Sequence, residues 1–225
     1  MTAVVLPAVA SAVAAALALR LGRQYAARRR GHALAWCLSL AMYALASAAV
    51  AVGVAGAWAP GVFGVYWLAG ALLNVPLLAA GQLLLVDPRR GTLWWGLAAL
   101  LAVVALGGTV TADFDGSALR EAGAAGTIPL GREVLGDSPA YALARPYSLT
   151  FAVVVAGSAW SALRTRRWGP LLIAAGVTVV AASSAAVRVG RGQLFSVLLA
   201  VGVITMYAGF RSSTRGAPAA AGGRP

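Results

Sequence analysis

Residues 61–90 read GVFGVYWLAGALLNVPLLAAGQLLLVDPRR. From Gly61 to Val86 no side chain carries a charge, and the run ends on Asp87, Pro88, Arg89 and Arg90. A helix rising 1.5 Å per residue needs roughly 20 apolar residues to cross about 30 Å of hydrocarbon. This stretch is long enough to span a bilayer, and the arginines after it hold its end at one surface. The same criterion, applied outward along the chain, selects six more runs and predicts spans at 2–19, 33–58, 61–86, 92–112, 147–163, 168–187 and 194–210. The fold class expected is all-α: a polytopic bundle of seven transmembrane helices over residues 1–211, followed by a disordered cytoplasmic tail at 212–225. Composition agrees, since 60% of the residues are hydrophobic and 11% charged, with a mean hydropathy of +0.82; a soluble domain of this size is far more polar.

Orientation follows from the arginines, because loops that keep their positive charge stay in the cytoplasm. With the amino terminus outside, the inner connections and tail hold 13 of the 18 arginines: Arg20, Arg23, Arg28, Arg29, Arg30, Arg89, Arg90, Arg164, Arg166, Arg167, Arg211, Arg215 and Arg224. Asp87 is the one acid among them. The outer connections hold Arg120, Arg132, Arg145, Arg188 and Arg191 against five acids, Asp113, Asp115, Glu121, Glu133 and Asp137. The formal net charge of +12 therefore falls entirely on the inner side. A topology in the cell membrane explains the high isoelectric point, and nucleic acid is not an expected partner. The first run lacks a basic leader and carries its charges after the apolar stretch, which suits a first span entering with its start outside rather than a signal peptide. Trp36, Trp94, Trp95 and Trp168 fall near predicted inner ends and Trp58 and Tyr147 near outer ones, the headgroup level such rings prefer.

The connections are short except for 113–146, an outer loop expected to contain a short helix at 117–125 and to stop at Pro146 before the fifth span. Inside the predicted spans no ionisable side chain occurs, which argues against proton-coupled carriers and voltage sensors. The chain has no lysine, so a retinal Schiff base is excluded. One cysteine, Cys37, and one histidine, His32, leave no ligand set for zinc, haem or an iron–sulfur cluster; no cofactor is expected.

What remains is uncharged. Asn74 lies two residues before Pro76, which removes a backbone donor and kinks a helix. Gly70, Asn74 and Gln82 fall on one face at four-residue spacing, and Tyr43 of the second span lies at a similar depth. These five residues, Tyr43, Gly70, Asn74, Pro76 and Gln82, are the candidate ligand-binding set; the plainer reading is hydrogen bonding and close packing between helices. Gly157 and Ser161 pair in the fifth span, and small residues fill the sixth and seventh, as packing or a homo-oligomer interface requires. Arg188 and Arg191 are candidates for binding an anion or pairing with the outer loop. Asp113 and Asp115 form an Asp-x-Asp triplet, a weak candidate for a divalent cation, with a solvated helix end the simpler account. The inner arginines are expected to attract anionic lipid headgroups or the acidic face of a partner.

Four stretches carry a resemblance: YWLAGALLNVPLLAAGQLLLV at 66–86, GSAWSALRTRR at 157–167, GPLLIAAGVTVVAA at 169–182 and GVITMYAGF at 202–210. In these the chain resembles uncharacterised multi-pass membrane proteins of actinobacteria, a likeness that implies the seven-helix layout and no activity. The layout is also similar to receptor bundles and to the membrane sensor modules of histidine kinases, an analogy of fold alone. The expected function is a non-enzymatic membrane module, receptor-like or accessory, that binds a small apolar or lipid-like ligand or a partner membrane protein within the bundle and under the outer loop. A facilitative transporter or channel for a neutral solute is the alternative, and a membrane enzyme acting on lipid-linked substrates through Asp113 and Asp115 the third.

Overall fold

A computed structural model describes residues 2–165 and, beyond them, positions 172, 175, 176, 179, 197, 198, 201, 202, 204, 205, 208 and 209. Among the described residues every regular element is helical. Five helices are long and apolar enough to cross a membrane: Ala3–Arg28, Gly31–Ala57, Pro60–Val86, Pro88–Val110 and Pro139–Ser161. The predicted spans at 168–187 and 194–210 and the tail at 212–225 lie outside the described residues, apart from the single positions just named.

Helix α1 (Thr2–Arg28) and helix α2 (Gly31–Val52) form a tight antiparallel pair. Ala10, Ala14 and Ala18 recur every fourth residue on α1 and are all buried, so their small side chains let the two backbones approach. Two hydrogen bonds cross this contact, from Ser11 Oγ to the Ala44 carbonyl (2.8 Å) and from Cys37 Sγ to the Ala18 carbonyl (3.1 Å). The connection is only two residues long because Arg29 adopts a left-handed conformation, φ 49°, at a position where glycine is usual. α1 runs nine residues past the expected end at Leu19, since Leu21 still packs against Trp36 and Leu40.

α2 is the central helix: 61% of its apolar window is buried, against 17% for the window in Pro88–Val110. It ends in a π turn, Gly53–Ala57, closed by Gly56 at φ 97°. The next membrane-length helix comprises α3 (Pro60–Tyr66), a π segment (Trp67–Leu73) and α4 (Asn74–Val86). Pro76 accounts for the widened turn. It offers no N–H to the Leu72 carbonyl and its ring crowds that oxygen, so the ladder shifts and the Asn74 N–H bonds to the Ala69 carbonyl, five residues back. After a short turn at Pro88–Arg90, α5 (Gly91–Val110) returns to the other end.

The segment 113–146, expected as an outer loop, is mostly helix. α6 (Gly116–Ala125) covers the helix expected at 117–125; Asp115 caps its start and Gly126, at φ 63°, closes its end. α7 (Gly131–Leu135) and α8 (Pro139–Ser148) follow, and α9 (Thr150–Thr165) continues the last described span. Pro146 does not stop the chain before the span, as the sequence suggested. Ser138 starts the helix earlier, accepting from the Tyr141 N–H, and Pro146 costs one backbone bond inside α8 and a bend at Leu149, where Leu149 N–H turns to the Pro146 carbonyl. Tyr147 consequently lies not at the outer end but against the middle of α5, its hydroxyl 2.5 Å from the Leu101 carbonyl. Arg145, assigned to the outer loop from sequence, rides the exposed side of α8 within the apolar helix.

Two expected interfacial anchors are interior residues instead. Trp36 and Trp58 are 7% and 6% exposed. A glycine opens the slot for each ring: a Cβ on Gly81 would lie 2.3 Å from Trp36 Cδ1, and one on Gly53 would lie 2.2 Å from Trp58 Cδ2. Gly131 does the same for Trp67. The contacts of Trp36 and Trp67 join distant segments and that of Trp58 closes a turn, none of which the headgroup preference of tryptophan foresees.

Candidate functional site

The cap built from α6, α7 and α8 closes one end of the bundle over an aromatic cluster. Phe63 stacks on Trp67 (5.9 Å between centroids), Trp67 stacks on Tyr141 (6.1 Å), and Trp58 and Phe114 meet Phe63 edge-on. Both indoles are satisfied by cap carbonyls: Trp58 Nε1 donates to Thr127 O (2.8 Å) and Trp67 Nε1 to Ala140 O (3.1 Å). A buried ring with its polar edge hydrogen-bonded is structural cement.

Asp115, half of the Asp-x-Asp pair, spends its carboxylate on the helix it caps. Its Oδ1 accepts from the Ser117 hydroxyl, from the Ser117 N–H (2.7 Å) and from the Ala118 N–H (3.2 Å). The Ser117 hydroxyl above all, with the two N–H groups, holds its carboxyl below the ordinary carboxylate range. A carboxylate whose pKa falls on folding stabilises the cap above its unfolded pKa of about 3.9, and the contribution disappears as pH drops through the lower folded value. Limited proteolysis of the cap on acidification should therefore accelerate more steeply in the native chain than in Asp115→Asn, which keeps a neutral cap. Equal pH profiles would remove Asp115 from this role. Asp113 is exposed beside it, and among the described residues no group of three His, Cys, Asp or Glu is placed to hold a metal ion.

The polar residues of the interior separate into two places. Gly70 faces α2, where a Cβ on it would lie 3.0 Å from that of Ala46. Asn74 also faces α2: the Ser39 hydroxyl is 2.9 Å from its backbone oxygen and 2.7 Å from Oδ1. Buried Ser39 thereby stitches α2 to the helix just where Pro76 has disturbed it. Leu78, one turn on, packs with Trp36, Leu40 and Val154. Gln82 faces α9, and a Cβ on Gly157 would lie 2.5 Å from its Cγ. Tyr43 is elsewhere again, buried against Ala10 and Ala14 of α1 and near Leu198; its hydroxyl points toward Ser47 without a hydrogen bond of good geometry. The face predicted from four-residue spacing thus turns from α2 to α9 along its length. Arg188 and Arg191 lie outside the described residues.

One group of interior atoms has no partner. Gln82 Nε2 and Ser158 Oγ are buried and unbonded, on residues 3% and 1% exposed; α4 packs on α9, and Gly157, the neighbour of Ser158 in sequence, is the residue that meets Gln82. Each such group costs about 1–3 kcal/mol when left unmet. Ser39 and Ser158 escape notice in the sequence, because one serine in an apolar helix satisfies itself on its own backbone as readily as it crosses to a neighbour. The only available signal for Ser158 is its place beside Gly157, the first member of the small-residue pair. Compared with known protein families, curated proteins and solved structures, the chain matches none.

Proposed function

We propose that the chain is a non-enzymatic, seven-span module of the cell membrane, its arginine-bearing turns cytoplasmic, that binds a small neutral ligand at the Gln82–Ser158 seam. The carrying observation is the pair of buried, unpartnered polar atoms Gln82 Nε2 and Ser158 Oγ. A ligand with a carbonyl or hydroxyl oxygen meets the Gln82 amide donor and exchanges a hydrogen bond with Ser158, recovering the cost of leaving both unmet. The ligand is neutral because no charged side chain is among the described residues at the seam, and a buried charge without a partner is expensive. Five membrane-length helices and the gathering of arginines at the turns of one end support the topology.

The seam is fifteen residues, roughly 22 Å of helix, from Trp67 and its cap, so the ligand enters from the side as α9 parts from α4. Buried Leu78 separates Gln82 from Asn74, which favours binding over conduction along a polar path. Native mass spectrometry of the detergent-extracted full chain should show a bound small mass that Gln82→Leu and Ser158→Ala both lose. Gln82→Leu should at the same time raise the thermal stability of the empty protein by about 1 kcal/mol, since it removes an unmet donor. A wild-type chain without bound mass, or one whose bound mass survives both substitutions, overturns the reading.

A further inference from the structure

Two arginine-bearing turns far apart in sequence meet on one leucine. A Cβ on Gly31, at the start of α2, would lie 3.4 Å from Trp95 Nε1 and 3.7 Å from Leu84 Cδ2. A Cβ on Gly91, at the start of α5, would lie 3.5 Å from the same Leu84 atom. Both helix starts therefore rest on one leucine near the end of α4, which brings the Arg28–Arg29–Arg30 turn and the Arg89–Arg90 turn to the same part of the surface. All five arginines are exposed. The acid beside them, Asp87, lies 3.7 Å from Arg90 Nε.

A second, independent feature is Arg29 itself. It occupies the left-handed region, φ 49°, where a side chain is strained and glycine is not. The position that closes α1 would be filled at less cost by glycine, yet it carries a cation, whose guanidinium lies 5.6 Å over the Tyr25 ring. Strained residues persist where the side chain has a use. Keeping positive charge on one side of a membrane needs arginines in the turns; it needs neither this backbone conformation nor the meeting of the two turns on one leucine. The Trp94 indole, donating to the Asp87 carbonyl at 3.1 Å, and the Trp95 indole against Gly31 place two tryptophans at the same level, the depth of lipid headgroups.

We infer that the paired turns form a binding site for the phosphodiester of an anionic membrane lipid, with Arg29, Arg30 and Arg89 supplying guanidinium forks to its oxygens. Planar forks of this kind suit phosphate oxygens in pairs. The site is independent of the Gln82–Ser158 seam.

The test uses the full chain equilibrated with mixed micelles of equal phosphatidylglycerol and phosphatidylcholine, with retained lipid read by native mass spectrometry. Wild type should retain phosphatidylglycerol preferentially, and each of Arg30→Gln and Arg89→Gln should lower that preference roughly five-fold, the effect of one basic residue at an anionic surface. Arg29→Gly is the decisive variant: it should lose the same preference while the melting temperature holds or rises, because glycine relieves the turn. Gln82→Leu should leave the preference unchanged. Equal retention of both lipids by wild type, or an Arg29→Gly chain with undiminished preference, overturns the proposal. Displacement of the lipid by millimolar inorganic phosphate also overturns it, by assigning the site to a soluble anion.

Discussion

Trp67→Ala should unfold the cap from the bundle and lower stability by about 3–5 kcal/mol, the range for emptying a buried aromatic site. Trp67 is the ring on which three segments converge. It stacks between Phe63 and Tyr141, donates to the Ala140 carbonyl and fills the slot opened by Gly131. The substitution removes the packing and leaves the carbonyl of Ala140 without its donor. Gly131→Ala should act on the same contact from the other side, at about 1–3 kcal/mol, because its new methyl would stand 2.2 Å from Trp67 Cζ3 and the ring is stacked on Phe63 and Tyr141. Protease cleavage within 116–138 at native temperature, together with thermal unfolding in detergent, reads both effects. A Trp67→Ala chain whose cap stays as resistant as wild type would show that α6 and the Trp58–Thr127 hydrogen bond hold the cap by themselves.

Gly81→Ala should destabilise by about 1–3 kcal/mol, although alanine is the better helix former by about 1 kcal/mol. The sign is set by Trp36, whose Cδ1 and Nε1 would lie 2.3 and 2.4 Å from the new methyl. That ring is buried and also rests edge-on against His32, so it cannot swing aside freely. The same substitution at Gly96, on the exposed side of α5 with nothing within 4 Å of a Cβ, should have the opposite sign and raise the melting temperature. Stabilisation at both positions would mean that Trp36 yields easily, and that the α2–α4 contact is looser than its burial implies.

The local chemistry of particular residues made much of the architecture legible. Val86 to Arg90 ends a span because its three charges are costly in hydrocarbon and Pro88 cannot carry the helix through them. Asp115 starts a helix and Gly126 ends one because their side chains, or lack of one, suit the unpaired groups at helix ends. Pro146 misled for a related reason: a proline forbids one hydrogen bond, and whether the helix ends there or merely bends depends on what packs around it, here Tyr147 against Leu101. The candidate site was legible in part. Asn74 and Gln82 stand out as polar residues in an apolar run, but both lie in α4 beyond the π segment, and two steps of four residues turn an α-helix face by about 80°, which carries Gln82 from α2 to α9. Ser39, which bonds Asn74, and Gly157, which meets Gln82, belong to helices that no spacing rule connects.

By itself, then, the sequence determined the all-helical class and the five described membrane-length helices, and it sets arginine apart from acid along the chain, since burial in lipid and charge at its surface are decided residue by residue. Only the tertiary structure decided which tryptophans are interior, which polar atoms are left unmet and which arginine-bearing turns meet on one leucine. Each of those depends on a glycine, a carbonyl or a leucine brought in from a distant segment, and a missing Cβ has no consequence until another side chain arrives to fill its space.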